Sequence, residues 1–553
     1  METTVNFRDA IPSSGKYLCW LFLGIVLLFV LFVRVRLLTV PLERDEGEYA
    51  YCGQLLLKGY PPFDKAYNMK FPGASMMYAL SMLVFGQTTV GIHIGLLFIN
   101  VATILLLFAA IRRVFNELVA SVAAAVFALL SLSPMLLGTA AHATHFVLLY
   151  AMAGFVVMQR ALAKDKTPLL WVSGILLGMS IIMKQSGAMF ALLALAIVWY
   201  HQRVEMEKTF IHSLKTAAKV FVGIMLPVGA LFFWMYAAGV FDRFWFWTVQ
   251  YGSEYAGITS WAEGATNLKM FFMLSFQEYR ELWLLALLGA LGMWFVGLSR
   301  SKKLLVIAAA VFSFLAICPD LNFRGHYFVL FAPTVGLCAG FGAESVRRLI
   351  TTSLKARRQS WIAPLVIIVA ALPGIIRLHL YHFQYTPQLV GEELYPGNPV
   401  SESVLVAEYV RQHTTRDDNV AVLGSEPELC FYADRLSASG FLYTYSLMEP
   451  QRFNTMMQAE MINEIEKSNP AMLVYYRVKA SWLARQESPT EIFRWLERYT
   501  RNGYYLTGMV VLPTKEGAAQ YFWDEDARRH PPPTGDAIFI FGRKENRGRS
   551  QLP

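Results

Sequence analysis

The chain has 553 residues, of which 55% are hydrophobic and only 16% charged, with a mean hydropathy of +0.40. A soluble domain averages about 25% charged residues, so a soluble enzyme is excluded over most of the length. The formal net charge of +9 sits in short loops between apolar runs, where basic residues set membrane orientation, and does not point to nucleic acid.

Arg8 and Lys16 precede a long apolar run with no small-residue cleavage site after it. The run reads as a retained first span and not a removed signal. Apolar segments approaching the roughly 20 residues of a bilayer-spanning helix follow, near 17–38, 88–111, 117–137, 145–163, 168–183, 187–200, 220–240, 281–298, 304–318, 326–343 and 361–376. With the N-terminus in the cytoplasm, the loops on that side carry Arg112 and Arg113; Arg160, Lys164 and Lys166; Arg203, Lys208, Lys215 and Lys219; Arg300, Lys302 and Lys303; and Arg347, Arg348, Lys355, Arg357 and Arg358. The opposite loops are poorer in Lys and Arg and richer in aromatics, the positive-inside pattern. An odd number of spans then puts the C-terminal part outside the cytoplasm. The pattern holds only if Gly73–Gly86, apolar but short, is an interfacial or re-entrant helix.

The first outer loop, 41–87, opens on PLERDEGEYAYCGQLLLKGYPPFDKAYNMKFPG. Residues 45–58 form a short helix with Asp45 near its start, where the helix dipole favours a carboxylate. Tyr49, Leu56 and Leu57 are expected on its membrane face, and Pro61–Pro62 ends it. The acidic cluster has two readings: a solvated loop opposing the positive-inside bias, or a carboxylate base beside cations that hold a phosphate. Under the sidedness above, Asp45, Lys70, His142, His145, Lys184, Tyr251, Arg324 and His326 share one face of the membrane. Charges at a bilayer boundary are costly and commonly functional, although Lys184 and Arg324 also read as snorkelling side chains and the two histidines as structural. His142 and His145 have zinc-ligand spacing, but no third ligand is evident. Trp245, Trp247 and Tyr251 read either as an interfacial aromatic belt or as the wall of a lipid groove.

Residues 400–545 alternate helical and strand patterns. SESVLVAEYVRQHT reads as a Ser-capped helix, NVAVLG, AMLVYY, GMVVLP and AIFIFGR as strands, and 450–468 and 488–502 as helices. The expectation is an α/β domain with a partly parallel sheet. Gly424, Glu426 and Arg435 follow its first strand, as an ordinary loop or as a ligand site at the strand ends. The five cysteines show neither a disulfide framework nor a CxxC pair; Cys19 and Cys338 read as small buried residues.

The order span, Asp45-Glu46-x-x-Tyr49 helix, aromatic turn, Asn68-x-Lys70-x-Pro72, apolar short helix, and a span ending in Arg112-Arg113 resembles the GT-C glycosyltransferases that use polyprenyl-phosphate sugars. The nearest branch is the bacterial one related to protein O-mannosyltransferases and aminoarabinose transferases. Lys-Phe-Pro stands where that family has Lys-Pro-Pro. The likeness continues through His142 and His145, where relatives carry an acidic residue, through Lys184 at the end of a Gly-rich span, and through Arg324, His326 and Tyr327.

The resemblance implies a mainly α, polytopic membrane domain over 1–376 and a periplasmic α/β domain over 377–553, in a bacterial inner membrane. It implies inverting sugar transfer from a polyprenyl-phosphate donor to an acceptor hydroxyl on a lipid, glycan or protein. Asp45 is then the base, with Glu46 on the acceptor or orienting the site. Lys70, Lys184, Arg324, His326 and Tyr327 lie at the donor phosphate, and Tyr49, His142, His145 and Tyr251 at substrate. No cofactor and no metal is expected. The alternative is a non-catalytic lipid or sugar transporter or a lipid-binding membrane protein; a transporter calls for internally repeated halves and charges near the bilayer midplane, and no repeat is visible.

Overall fold

A computed structural model describes residues 13–164, 166–353, 362–513 and 517–544. Arg8, Lys355, Arg357 and Arg358 of the charge pattern lie outside these residues. In chain order, the first helices are α1 (Ser13–Arg36), α2 (Arg44–Leu57), α3 (Gly73–Phe85), α4 (Thr89–Val114) and α5 (Glu117–Leu130). Next come α6 (Ala143–Lys164), α7 (Thr167–Met183), α8 (Ala188–Tyr200) and α9 (Phe210–Ala237). The aromatic loop folds into two short pieces, α10 (Phe241–Trp245) and α11 (Gly252–Ala256). It is followed by α12 (Trp261–Gly292), α13 (Arg300–Leu315), α14 (Ala332–Ser353) and α15 (Ile362–Arg377). Each apolar segment of the sequence thus meets one helix. Among the described residues, five helices are long and apolar enough to cross a membrane, those within 17–36, 89–114, 143–164, 185–205 and 210–237. The apolar stretch near 281 is the second half of α12, which joins an earlier helical half at a kink. Ser260 and Glu263 form a capping box that begins α12 at Trp261, and Tyr279 departs from helical geometry where the apolar stretch begins.

These helices approach closely because small residues line their contacts, the usual solution where lipid is the solvent. A Cβ on Gly289 of α12 would collide with the Cys338 carbonyl of α14, and one on Gly174 of α7 with the Val220 carbonyl of α9. The short α3 does not stand alone: its Ala79 and Ser75 backbones lie against Gly53 of α2, while Leu83 and Val84 remain exposed.

Beyond α15 come α16 (Pro387–Leu394), α17 (Val400–Gln412), β1 (Asn419–Leu423), α18 (Glu428–Ala433), β2 (Leu436–Ser437), α19 (Tyr445–Met448) and α20 (Asn454–Ser468). They are followed by β3 (Met472–Arg477), α21 (Lys479–Trp482), α22 (Glu491–Gly503), β4 (Tyr504–Val511), β5 (Gln520–Trp523), α23 (Asp524–Arg529) and β6 (Ala537–Arg543). The sheet runs β2-β1-β3-β6-β4-β5. β1 is parallel to β2 and β3, and the remaining pairs are antiparallel. All four strands read from sequence are present, and the short β2 and β5 are additional. The expected serine cap on α17 is absent: Pro399 precedes the helix without a side-chain bond, and Ser403 is turned inward to the Tyr476 hydroxyl at 3.0 Å. All five cysteines are free; Cys19 is buried, whereas Cys338 is only partly so.

The sheet region sits on α2. A Cβ on Gly47 would strike the Glu428 backbone, so glycine is what allows α2 and α18 to touch. Arg44 reinforces the contact through Glu426 at 2.7 Å and the Tyr445 hydroxyl at 2.5 Å. Tyr67 bonds the Gly440 carbonyl through its backbone N–H at 2.7 Å.

Candidate functional site

A cavity of about 610 Å³ lies where α2, the loops after α7 and α13, the aromatic loop and the sheet region converge. Glu43 caps α2 by accepting the Glu46 N–H at 3.0 Å, which puts Asp45 in the first turn. Lys70 is brought to it by a turn in which the Asn68 side chain accepts the Lys70 N–H at 2.7 Å. The Lys70 ammonium lies 2.9 Å from Asp45 Oδ1 and 2.9 Å from Glu48 Oε2. The Tyr443 hydroxyl, from the sheet region, reaches the same two oxygens at 3.1 and 3.0 Å. One oxygen of Asp45 is therefore held from two sides. The other, Oδ2, points toward His142 Nδ1 at 3.7 Å and His326 Nε2 at 3.9 Å.

Burial works against the Asp45 charge, but Lys70, His326 and His142 outweigh it and hold the carboxyl well below its usual range. Glu48 shifts the other way: burial raises it despite Lys70. Burial also raises Glu43, helped by Asp45 and Glu46. The four carboxyls between Glu43 and Glu48 thus titrate apart: Glu43 and Glu48 are raised, while Asp45 at the cavity and Glu46 beside His93 are lowered and kept ionised.

Lys184 and Arg324 face the cavity from other loops. Lys184 ends α7, and its ammonium sits 3.8 Å from the centre of the Tyr327 ring. Burial, only partly opposed by Asp320, lowers it to about 8. Tyr327 is fixed by donating to Asp320 at 2.5 Å. The loop ahead of Arg324 has Leu321 and Phe323 at φ of 54° and 46°, a left-handed conformation that costs a non-glycine residue about 1–3 kcal/mol. Such strain clusters at functional sites. The buried Ser186 hydroxyl beside Lys184 has no hydrogen-bond partner among the described residues.

The structure distributes the sequence candidates unevenly. Asp45, Lys70, His142, Lys184, Tyr251, Arg324, His326 and Tyr327 all line the cavity. Glu46 does not: it is buried, accepts the Ala141 N–H at 2.6 Å and meets His93 at 3.1 Å, so it ties α2 to the loop carrying His142. Tyr49 is also absent from the lining. It does not face the membrane surface, because it packs on Tyr78 at 5.5 Å and under Lys70 at 4.7 Å. His145 is buried behind His142 and is not on the wall, since three residues along a helix do not carry both rings to a cavity at its end. Lys70, expected at a phosphate, lines the cavity and faces Asp45 and Glu48, the nearest opposite charges. Trp247 lines the cavity, whereas Trp245 is exposed elsewhere. Gly424, Glu426 and Arg435 do not line this cavity.

The partner His142 lacked in sequence is His326: the rings stack at 4.0 Å and 13°. With Asp45 they offer one ligand atom each, all within 4.8 Å of one another. One carboxylate and two imidazoles form a donor set that suits a divalent transition metal. Burial lowers His142 to about 4, which keeps its imidazole neutral.

A family model described as dolichyl-phosphate-mannose-protein mannosyltransferase matches residues 68–231. No curated protein matches the chain. ArnT from Cupriavidus metallidurans bound to undecaprenyl phosphate is similar with a TM-score of 0.58 and 15% identity, over 96% of this chain and 98% of that one. The archaeal oligosaccharyltransferase AglB from Archaeoglobus fulgidus, in complex with an inhibitory peptide and a dolichol-phosphate, is similar with a TM-score of 0.54 and 12% identity. That likeness spans 97% of this chain and 77% of AglB. The fold is that of the GT-C membrane glycosyltransferases.

In this GT-C fold the residues that the sequence did not reveal come mainly from the sheet region. Tyr443, Tyr445 and Glu449 line the cavity from the segment between β2 and α20, and Glu449 accepts the Tyr251 hydroxyl at 2.7 Å. The one local signal was the aromatic run Phe441-Leu442-Tyr443-Thr444-Tyr445, whose rings alternate at the strand period although the segment forms no strand. Glu48 and Asp320 were visible as charges, but not their partners.

Proposed function

We propose that the protein transfers a sugar from a polyprenyl-phosphate-linked donor to an acceptor hydroxyl, by a single inverting displacement with Asp45 as base. The observation that carries this reading is the arrangement about Asp45, an ionised carboxylate gripped at Oδ1 by Lys70 and Tyr443 in a cavity that also presents Lys184 and Arg324. The acceptor hydroxyl loses its proton to Asp45 as its oxygen bonds to the anomeric carbon. The bond from that carbon to the phosphate oxygen breaks, and the electron pair leaves with the phosphate. Lys184 and Arg324 take up the charge that develops there, in a site where burial strengthens the interaction. Lys70 and Tyr443 orient the base, and Glu46 positions the His142 loop. Trp247 and Tyr251 wall the cavity on the lipid side.

In this reading residues 1–376 form the membrane part that holds the donor, and residues 377–553 form a domain that closes the acceptor side. The N-terminus lies in the cytoplasm of a bacterial cell and the site on the periplasmic face of the inner membrane, with a lipid, glycan or protein as acceptor. The test is transfer from labelled polyprenyl-phosphate sugars in membranes containing wild type or Asp45→Asn. Label reaching an acceptor with wild type only supports the assignment. Transfer surviving Asp45→Asn removes the base, and no transfer from any donor removes the activity.

A further inference from the structure

A second cavity, of about 650 Å³, lies on the opposite side of α2. Gln54 faces it and Asp45 faces the first; nine residues apart at 100° each, they are half a rotation from one another. The walls of the second cavity include Thr39 after α1, Thr88 at the start of α4, and Arg411, Arg416 and Arg435 from the sheet region.

Its positive charge is only partly compensated, with Asp434 and Asp418 acting on Arg435 through space. Arg435 is only 5% exposed, and its N–H groups go to the Thr414 hydroxyl at 2.8 Å and to the carbonyls of Ala433, Asp434, Arg411 and Thr414 at 2.8–3.1 Å. None of these is a carboxylate. Arg416 is exposed and makes no hydrogen bond or ion pair among the described residues. Arg411 pairs with Glu408 at 2.5 Å. Asp434 is the single acid on the wall and already pairs with Lys58 at 2.7 Å. The cavity therefore has positive charge to offer and no free carboxylate to receive an ammonium.

Two further observations specify the ligand. Gln54 is 3% exposed, and its side-chain amide has no hydrogen-bond partner among the described residues; a buried amide of this kind calls for a polar partner such as a hydroxyl. Thr39 and Thr88 stand where α1 and α4, both long enough to span, emerge from the apolar layer. Next to them the span surfaces are apolar and exposed, with Phe32 and Val35 on α1 and the stacked Phe85–Phe98 pair beside Gln87.

We infer that this cavity binds the headgroup of an anionic, hydroxyl-bearing phospholipid from the leaflet on the site's side of the membrane. The phosphodiester sits at Arg416, with Arg435, whose N–H groups are all taken, adding positive charge from behind the wall, a headgroup hydroxyl meets the Gln54 amide, and the acyl chains lie along α1 and α4. A zwitterionic headgroup is disfavoured because nothing free on the wall pairs with its cation.

The test is native mass spectrometry of the full-length protein in detergent, titrated with phosphatidylglycerol or phosphatidylcholine. Phosphatidylglycerol binds about 10-fold more tightly, Arg416→Glu lowers that affinity about 10-fold, and Gln54→Leu lowers it by about 5-fold. Lys184→Met, in the first cavity, leaves it unchanged, and so does Arg501→Glu, an exposed reversal on α22. Equal binding of the two lipids overturns the proposal. So does phosphatidylglycerol binding that resists Arg416→Glu, or that is lost with Lys184→Met, since the lipid then occupies the first cavity. Arg416 is exposed and unpartnered, so its substitution leaves the fold intact, which a thermal melt verifies.

Discussion

Tyr443→Phe removes one oxygen from the site and nothing from its packing. The hydroxyl lies 3.1 Å from Asp45 Oδ1, 3.0 Å from Glu48 Oε2 and 3.1 Å from the Arg44 carbonyl. It shares a single proton among three acceptors, one of them the ionised carboxylate. A hydrogen bond to a charged group contributes about 1.5–3 kcal/mol, so transfer falls about 10- to 100-fold if that energy orients the base in the transition state. The loss appears in kcat, because Tyr443 is not among the groups assigned to the donor phosphate. The acid side of the pH profile moves as well. Hydrogen bonds to the charged form keep a carboxyl low, and losing one raises Asp45, so activity is lost at a higher pH on acidification. Lys70 holds the same two oxygens, so Tyr443→Phe and Lys70→Met combine with less than additive effect. The assay is single-turnover transfer from a labelled polyprenyl-phosphate sugar across a pH series, with a melt to confirm folding. Transfer within twofold of wild type and an unmoved acid limb would refute the claim that the sheet region positions the base.

Two other expectations follow from the same cavity. Burial leaves Lys184 at about 8, so its positive charge is present below that pH and lost above it; donor KM rises as pH passes through 8 while Lys184→Met shows a raised KM at every pH, and a flat KM profile in wild type contradicts the phosphate role. The Asp45–His142–His326 set is positioned like a ligand cluster, yet Lys70 already balances Asp45. Dialysis against EDTA therefore leaves transfer within twofold, and a loss that added zinc or manganese restores would mean that these three residues hold an ion.

Much of the molecule was legible from apolar run length and loop charge alone, because a bilayer imposes a length on each span and leaves basic residues on one side. The sheet strands were legible because short β-branched and aromatic runs bounded by turn residues have few alternatives. Asp45 and Lys184 stood out because a charge beside an apolar segment is costly without a purpose. Partners are another matter. His142 was paired by spacing with His145, but the ring that meets it is His326, 184 positions along, brought there by the 3₁₀ turn over Gly325–Leu330. Glu46 was read beside Asp45 as an acceptor-binding or orienting residue, and a rotation of 100° along α2 turns it to His93 and the Ala141 N–H. Tyr443 stands in an aromatic run, but nothing near it in sequence names its partners, Asp45 and Glu48. Local sequence determines where a helix begins and which residues are charged, because those depend on neighbours a few positions away. Which charges meet depends on how Gly47 lets α2 settle against α18, a contact between segments almost four hundred residues apart, and only the folded chain decides it.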